Sequence, residues 1–430
     1  MSSADSANQK PVVAFIGIDW ADQKHDIVIR AATANAGLEH HSIGAEPDAL
    51  AEWVLKVRER FGSGGRILVC LEQSRGALIH FLMGYESFEL YPINPKQLAS
   101  YREAFRPSGA KDDPNDAQLL CQLVSLHYQQ LRPWHPDDEL TRKLALLCEK
   151  RRQAVDARTA LSNQLKSELK QYYPLALAVL ENDLTTSLAA DFLLQWPNFE
   201  SLKKASAPKL RKFFYGHQSR SEQKIQQRLE RIQVAQPLTR DSAIIEAGAL
   251  TAQMLAQQLK ALGPYIARYE KQIAQLFHQH PDSVLFNNLP GAGPTLGPRL
   301  LTAFGTDRER FQSALEAVTF FGVAPVTEQS GKSQWIHFRW ACPKFLRQSL
   351  HEFAGQSIRF CDWAAAYYQE QRARGKGHHA AVRALTYKWI RILFCCWKTR
   401  RPYDPQLYLS SLLQRGSPYA SSVKNSSQKI

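Results

Sequence analysis

Apolar runs broken by polar punctuation open the chain. VVAFIGID at 12–19 and HDIVIRAA at 25–32 read as two strands, HHSIGA at 40–45 as a third, and RILVCLE at 66–72 and FELYPI at 88–93 as two more. Between them, amphipathic spacing predicts helices over 46–61 and near 76–84. AKDDPNDAQLLCQLV then reads as a helix start, with Pro114 near its first turn. Strands alternating with helices predict an α/β sheet over residues 12–135, with any site at the strand ends.

Beyond residue 138 the strands stop. Leu255, Leu259, Leu262, Ile266, Tyr269, Ile273 and Leu276 alternate steps of four and three, a heptad seam. Leu140, Leu144, Leu147, Leu161 and Leu165 give a weaker version on an earlier helix. Two such helices flanking WPNFESLKKASAPKLRKFF predict a helical stalk with a small cap over residues 136–280. The seam serves equally as a bundle core or as an oligomerising coiled coil. A third, mainly helical segment, 281–408, begins with LPGAGPTLGPRLLTAFG. There Gly291 and Gly293 form a tight turn that either presents backbone N–H groups to a phosphate or only reverses the chain. FFGVAPVTEQSGKSQWIHFRW follows, then helices rich in Arg, Trp and Tyr, and 409–430 reads as a flexible tail. Aromatic residues among basic ones suit stacking on bases, or a core with snorkelling cations.

Composition adds a partner. A length of 430 residues predicts two or three domains, and the formal charge of +14 favours polyanions. Residues 281–430 hold 20 Lys and Arg against 9 Asp and Glu, a surplus of 11, so the front half is near balance. The N-terminus MSSADSANQKP has no apolar signal core, and no run approaches the ~18 apolar residues of a membrane span. Seven scattered cysteines form no CxxC pair. These features predict a reduced, cytoplasmic chain without a zinc site or a membrane partner.

Four acids stand where the strands and the helix place them in order. Asp19 ends the first strand, Glu72 ends a later one, and Asp113 and Asp116 open a helix three residues apart on one face. Taken singly, each is as well a turn residue or a helix cap. Together they are the oxygen donors Mg²⁺ prefers, suited to chemistry on nucleic-acid phosphates. Asp112, four residues before Asp116, shares a face with it too, and chemistry alone does not choose. Ser330, in EQSGK, is on residue type alone an ordinary loop serine.

The order IGIDWA, strand-end Glu72, NPKQL, AKDDPNDA, LPGAGP, FFGVAP and QSGK resembles transposases of the IS110 and IS1111 type, including bridge-RNA recombinases, over nearly the whole chain. The resemblance implies a RuvC-like (RNase H-like) domain, a coiled-coil region and a transposase domain with a serine nucleophile. It assigns Asp19, Glu72, Asp113 and Asp116 to a Mg²⁺-binding quartet and Ser330 to the nucleophile, with Ser333 as the alternative. The family's usual Thr before the paired acids is Asp112 here, so Asp112 stays a stand-in. The family's glycine- and lysine-rich stretch is replaced by WIHFRWACPKFLRQSL, with Arg339, Lys344 and Arg347 as its remaining cations; these and Lys332 just before it are the expected nucleic-acid contacts. The implied partners are DNA, an element-encoded guide RNA and further copies of the chain. Two rival classes are a RuvC-like junction nuclease without a covalent intermediate and a non-catalytic nucleic-acid scaffold.

Overall fold

The structure, a computed structural model, describes residues 10–62, 64–72, 76–105 and 113–417. It divides into two compact units, Met1–Pro136 and Asp137–Ile430.

The first unit is a five-stranded sheet between two helical layers. Strands β1 (Val12–Trp20), β2 (Lys24–Ala31) and β3 (Glu39–Gly44) form an antiparallel meander; β4 (Arg66–Leu71) and β5 (Phe88–Pro92) add in parallel, giving the order β3-β2-β1-β4-β5. Alternation along the strands splits the core. Ala14, Ile16 and Ile18 of β1 with Ile67, Val69 and Leu71 of β4 pack under α1 (Pro47–Phe61) and α2 (Ala77–Leu82). Leu68 and Cys70 pack on the opposite face, with Leu98 of α3 (Pro95–Phe105) and Leu119, Leu120, Leu123 and Val124 of α4 (Asp113–His127). The parallel strands are apolar on both faces because both are covered.

The second unit has two long helices, α5 (Glu139–Tyr172) and α11 (Ser242–Gln279). Asp138 caps α5, its carboxylate accepting from the Thr141 N–H at 3.0 Å. The pair runs antiparallel: Tyr172 lies against Gly248, and Arg151 reaches Glu270. Leu255, Leu259, Ile266 and Ile273 are buried, so much of the heptad seam packs within this chain. Between the two helices sit α6 (Pro174–Val179), α7 (Ser187–Gln195), α8 (Phe199–Lys203), α9 (Ala207–Gly216) and α10 (Glu222–Val234). These close a core around Phe192, Trp196 and Phe214, with Leu165 and Leu169 of α5 and Leu255 and Leu259 of α11.

After α12 (Ser283–Asn287), α13 (Gly293–Phe304) and α14 (Ala314–Phe320), a hairpin of β6 (Val326–Ser330) and β7 (Ser333–His337) interrupts the helices. The sequence pattern did not anticipate it. Helices α15 (Lys344–Phe360), α16 (Asp362–Ala373), α17 (His378–Thr399) and α18 (Pro405–Gln414) complete a core around Phe304, Phe353, Trp389 and Trp397. The expectation of a flexible tail from 409 needs correction. Asp404 caps α18 through the N–H groups of Gln406 and Leu407, and Leu412 is buried, so ordered chain continues to 414. Among the described residues no helix is long and apolar enough to cross a membrane.

Candidate active site

Strand register brings the ends of β1 and β4 together. Gly17 lies opposite Cys70 and Ile18 opposite Leu71, the last pair of the register, and Asp19 and Glu72 are the next residues of the two chains, Glu72 just past the end of β4. Alternation puts Asp19 on the face of Phe15 and Gly17, the side covered by α4, where Leu68 and Cys70 of β4 also pack.

Gly17 fixes how near α4 can come. A Cβ there would lie 2.1 Å from the Ala117 carbonyl oxygen and 2.3 Å from the Cys121 nitrogen. Only a residue without a side chain lets strand and helix backbones touch. The Cys121 thiol donates to the Phe15 carbonyl at 3.5 Å, while Ala117 lies at Gly17. α4 therefore runs opposite to β1, and its first turn is carried toward the Asp19 end. Asp113 is the first residue of that helix. Its side chain and the whole of Asp112 lie outside the described residues.

Asp116 is 1% exposed and already has a cation. Arg102 of α3 grips it with both arms, Nε to Oδ1 at 2.9 Å and Nη2 to Oδ2 at 2.6 Å. A guanidinium thus stands where the sequence reading put a metal ion. Among the described residues no group of three His, Cys, Asp or Glu side chains is close enough to hold a metal. The donor set still suits a hard cation: all its donors are carboxylates, and a buried one is balanced by positive charge. Removing that charge should be costly. We expect Arg102→Ala to lower stability by about 3 kcal/mol, because it leaves a buried carboxylate unpaired. A lower denaturant midpoint reads it out, and an unchanged midpoint would show the pair to be dispensable.

Asp26 was missed in the sequence, hidden inside an apolar run. It lies directly across β1 from Asp19, is 7% exposed, and has Lys24 Nζ at 3.5 Å. Like charges facing across strands repel, so this corner of the sheet favours a cation. Its only sequence signal was an acid two residues before Val28, on the same strand face. Cys70 and Cys121 lie on this face too, but burial pushes both thiols up, Cys121 to about 12, which makes them packing groups rather than nucleophiles.

In the second unit, Ser330 and Ser333 close the hairpin as direct cross-strand partners. Gly331 has φ +57° and Lys332 is not among the residues with positive φ, the pattern of a type II′ turn with Gly first. SGKS, with a two-residue Gly-X loop, was the signal for the turn. Both serines are exposed and point to one face, so the structure, like the sequence, leaves Ser333 beside Ser330. Among the described residues the Ser330 hydroxyl has no basic partner of its own. Trp335 and Ile336 on β7 and Trp340 beyond it are 61%, 60% and 76% exposed. The hairpin is pinned by Glu328 to His337 at 2.8 Å, with Trp335 stacked on the His337 ring.

The expected nucleic-acid contacts divide. Lys332 is exposed at the turn, and Lys344 is exposed on the first residue of α15, where the helix dipole disfavours a cation. Arg339 and Arg347 are half-buried. Arg347 donates to the Arg339 carbonyl at 2.8 Å and stacks on Phe338, whose ring also receives Arg383, a cation the sequence reading omitted. Gly293 is open, with φ +55° and nothing near its missing Cβ. Gly291 has φ +82° and lies against Gln356 and Phe360 of α15, so backbone conformation and packing both account for its glycine.

Residues 16–174 match a family model described as a transposase, labelled DEDD and IS110, and residues 283–369 match one described as the transposase IS116/IS110/IS902 family. The chain is 30% identical over 413 residues to the "Mini-circle putative transposase for IS117" of Streptomyces coelicolor, covering 94% of this chain and 98% of the relative. It is 25% identical over 403 residues to the IS900 uncharacterized 42 kDa protein of Mycobacterium paratuberculosis, covering 91% and 97%. It is 27% identical over 161 residues to the pilin gene-inverting protein of Moraxella bovis, covering 33% and 46%.

Proposed function

We propose a mechanism for this chain, which belongs to the IS110 family of transposases and so cuts and rejoins DNA: a carboxylate site in the first unit acts with a serine nucleophile in the second. The observation that carries it is the convergence of the ends of β1 and β4, one carrying Asp19 and the other leading into Glu72, with the first turn of α4. A hairpin strand and a parallel strand bearing neighbouring acids, with a helix returning over them, support an RNase H-like, RuvC-like reading of residues 12–135. Residues 136–280 would then be the coiled-coil stalk and 281–408 the transposase segment.

The Ser330 hydroxyl oxygen attacks phosphorus; an Oγ–P bond forms, a P–O bond to the neighbouring nucleotide breaks, and that strand end leaves as a free hydroxyl. Attack by a hydroxyl end on the phosphoserine reverses the step and reseals DNA, so bond energy is kept without ATP. Asp19, Glu72, Asp113 and Asp116, with Asp112 as stand-in, would hold Mg²⁺, which when bound supplies a Lewis acid for the phosphate oxygens. Arg102 positions the Asp116 side chain through two hydrogen bonds. Lys332, Arg339, Lys344 and Arg347, with the open turn at Gly293, would grip backbone, and exposed Trp335 and Trp340 would stack on unpaired bases. The exposure of Ser330 without a partner base supports completion of its site by other groups, including those of a second copy of the chain in a homo-oligomer.

Sequence choice needs another agent. A structured RNA encoded by the element would pair with both DNAs, leaving the protein to hold backbones through charge. We expect the purified protein to carry a discrete RNA from noncoding sequence flanking its gene, and altered guide loops to redirect the target. RNA-free protein recombining the same sites at full rate would refute RNA guidance. A RuvC-like junction nuclease is the second reading, favoured by the carboxylates alone; it forms no covalent protein–DNA adduct.

A further inference from the structure

A cavity of about 200 Å³ opens in the second unit where α5, α11 and the N-terminus of α13 meet. Arg151, Arg152 and Arg299 line it with one carboxylate, Glu270, and with Pro294 and Thr295 of the turn that follows Gly293. Each guanidinium already meets a carboxylate: Arg151 pairs with Glu270, Arg152 with Asp156 and Glu352, and Arg299 with Glu352.

Arg299 is the unusual member, only 4% exposed. Its Nε donates to Ser349 Oγ at 2.9 Å and its Nη1 to Glu352 Oε2 at 2.6 Å, but its Nη2 is buried with no hydrogen-bond partner among the described residues. Glu352 is shared, since Arg152 Nη1 also reaches it at 3.1 Å. Burial opposes the charged form of Arg299 and Glu352 answers it only in part. An orphaned buried donor on a charged group is costly unless something satisfies it. Beside it, α13 begins with no side-chain cap and with Pro294 in its first turn, so its N-terminal backbone dipole is unanswered too.

We propose that this cavity is a seat for one phosphodiester of a nucleic-acid backbone. Several observations select that ligand. The unsatisfied Nη2 of Arg299 and the uncapped N–H groups of the helix terminus suit an anion with several acceptor oxygens. The volume falls below the ~300 Å³ at which pockets for whole small molecules begin, which argues against a nucleotide cofactor. Gly293 and Pro294, exposed at the rim, let a polymer approach. The seat deepens the function proposed above, since it rests on that nucleic-acid reading, and it assigns Arg151, Arg152 and Arg299 to backbone contact, none of which the motifs had marked.

Arg151 gives the cleanest test. It lies at the side of the cavity and pairs with Glu270, which is half exposed, so either partner can be changed without orphaning a buried charge. Full-length wild type, Arg151→Gln and Glu270→Gln would be titrated by fluorescence anisotropy with duplex DNA and, separately, with structured RNA, across a range of salt. Arg151→Gln should weaken binding about tenfold and reduce the salt slope by about one for the polymer that occupies the seat. Glu270→Gln, which frees Arg151 from its competing carboxylate, should tighten binding to that same polymer. Opposite signs are the signature of anion binding. If both variants shift affinity in one direction, or lower the melting temperature while leaving affinity untouched, the arginines only fasten α5 to α11 and the seat is wrong. Wild type that binds neither polymer would instead overturn the nucleic-acid reading itself.

Discussion

Ser330→Ala should abolish both recombination and any covalent protein–DNA adduct, a loss on the order of 10³-fold or more, since removal of a nucleophile eliminates the chemical route rather than weakening it. The fold should not suffer. Ser330 is exposed at the end of β6, and the turn depends on Gly331 rather than on the serine. Denaturing gels of end-labelled DNA incubated with enzyme would show the adduct in wild type and none in the variant. The neighbouring serine sets the sharpest alternative. Ser333 sits directly across the ladder and on the same face, within reach of the same phosphate. An adduct that persists in Ser330→Ala but is lost in Ser333→Ala would move the nucleophile across the hairpin. Cleavage at wild-type rates in both variants, with no adduct, would establish the junction-nuclease reading.

Asp19→Ala and Glu72→Ala should each eliminate strand cleavage by a similar factor while DNA and RNA binding persist. Metal-holding carboxylates act in the chemical step, whereas 11 of the 14 net positive charges come from residues 281–430. Asp116 calls for a gentler change. Alanine there would strand the Arg102 guanidinium as well as remove a ligand, so Asp116→Asn, which keeps the shape and a hydrogen bond to Arg102, separates chemistry from folding. Asp113→Ala should behave as Asp19→Ala does, and Asp112→Ala more mildly. Gel assays of cleavage in Mg²⁺, beside anisotropy of binding, check both halves. Wild-type cleavage in Asp19→Ala or Glu72→Ala would remove the metal site from the mechanism.

Much of this was legible in the chain itself. Unbroken apolar runs such as VVAFIGID and RILVCLE marked strands of the first unit, because a strand covered on both faces is apolar at nearly every position, a local property. The seam from Leu255 to Leu276 likewise announced a long helix. Local patterns carry no information on what lies opposite. That the seam packs against α5 of the same chain, that the end of β4 lies beside the end of β1, and that Asp26 faces Asp19 across the strand pair were decided by pairing between residues far apart in sequence. The hairpin carrying Ser330 was missed because its strands are short and solvated on both faces, so no hydrophobic period marks them. Nothing in the sequence singled out Arg102 or Arg299. Only the tertiary structure decided otherwise, since burial of a charge and the choice of its partner depend on which helices meet, a long-range outcome that no window of sequence contains.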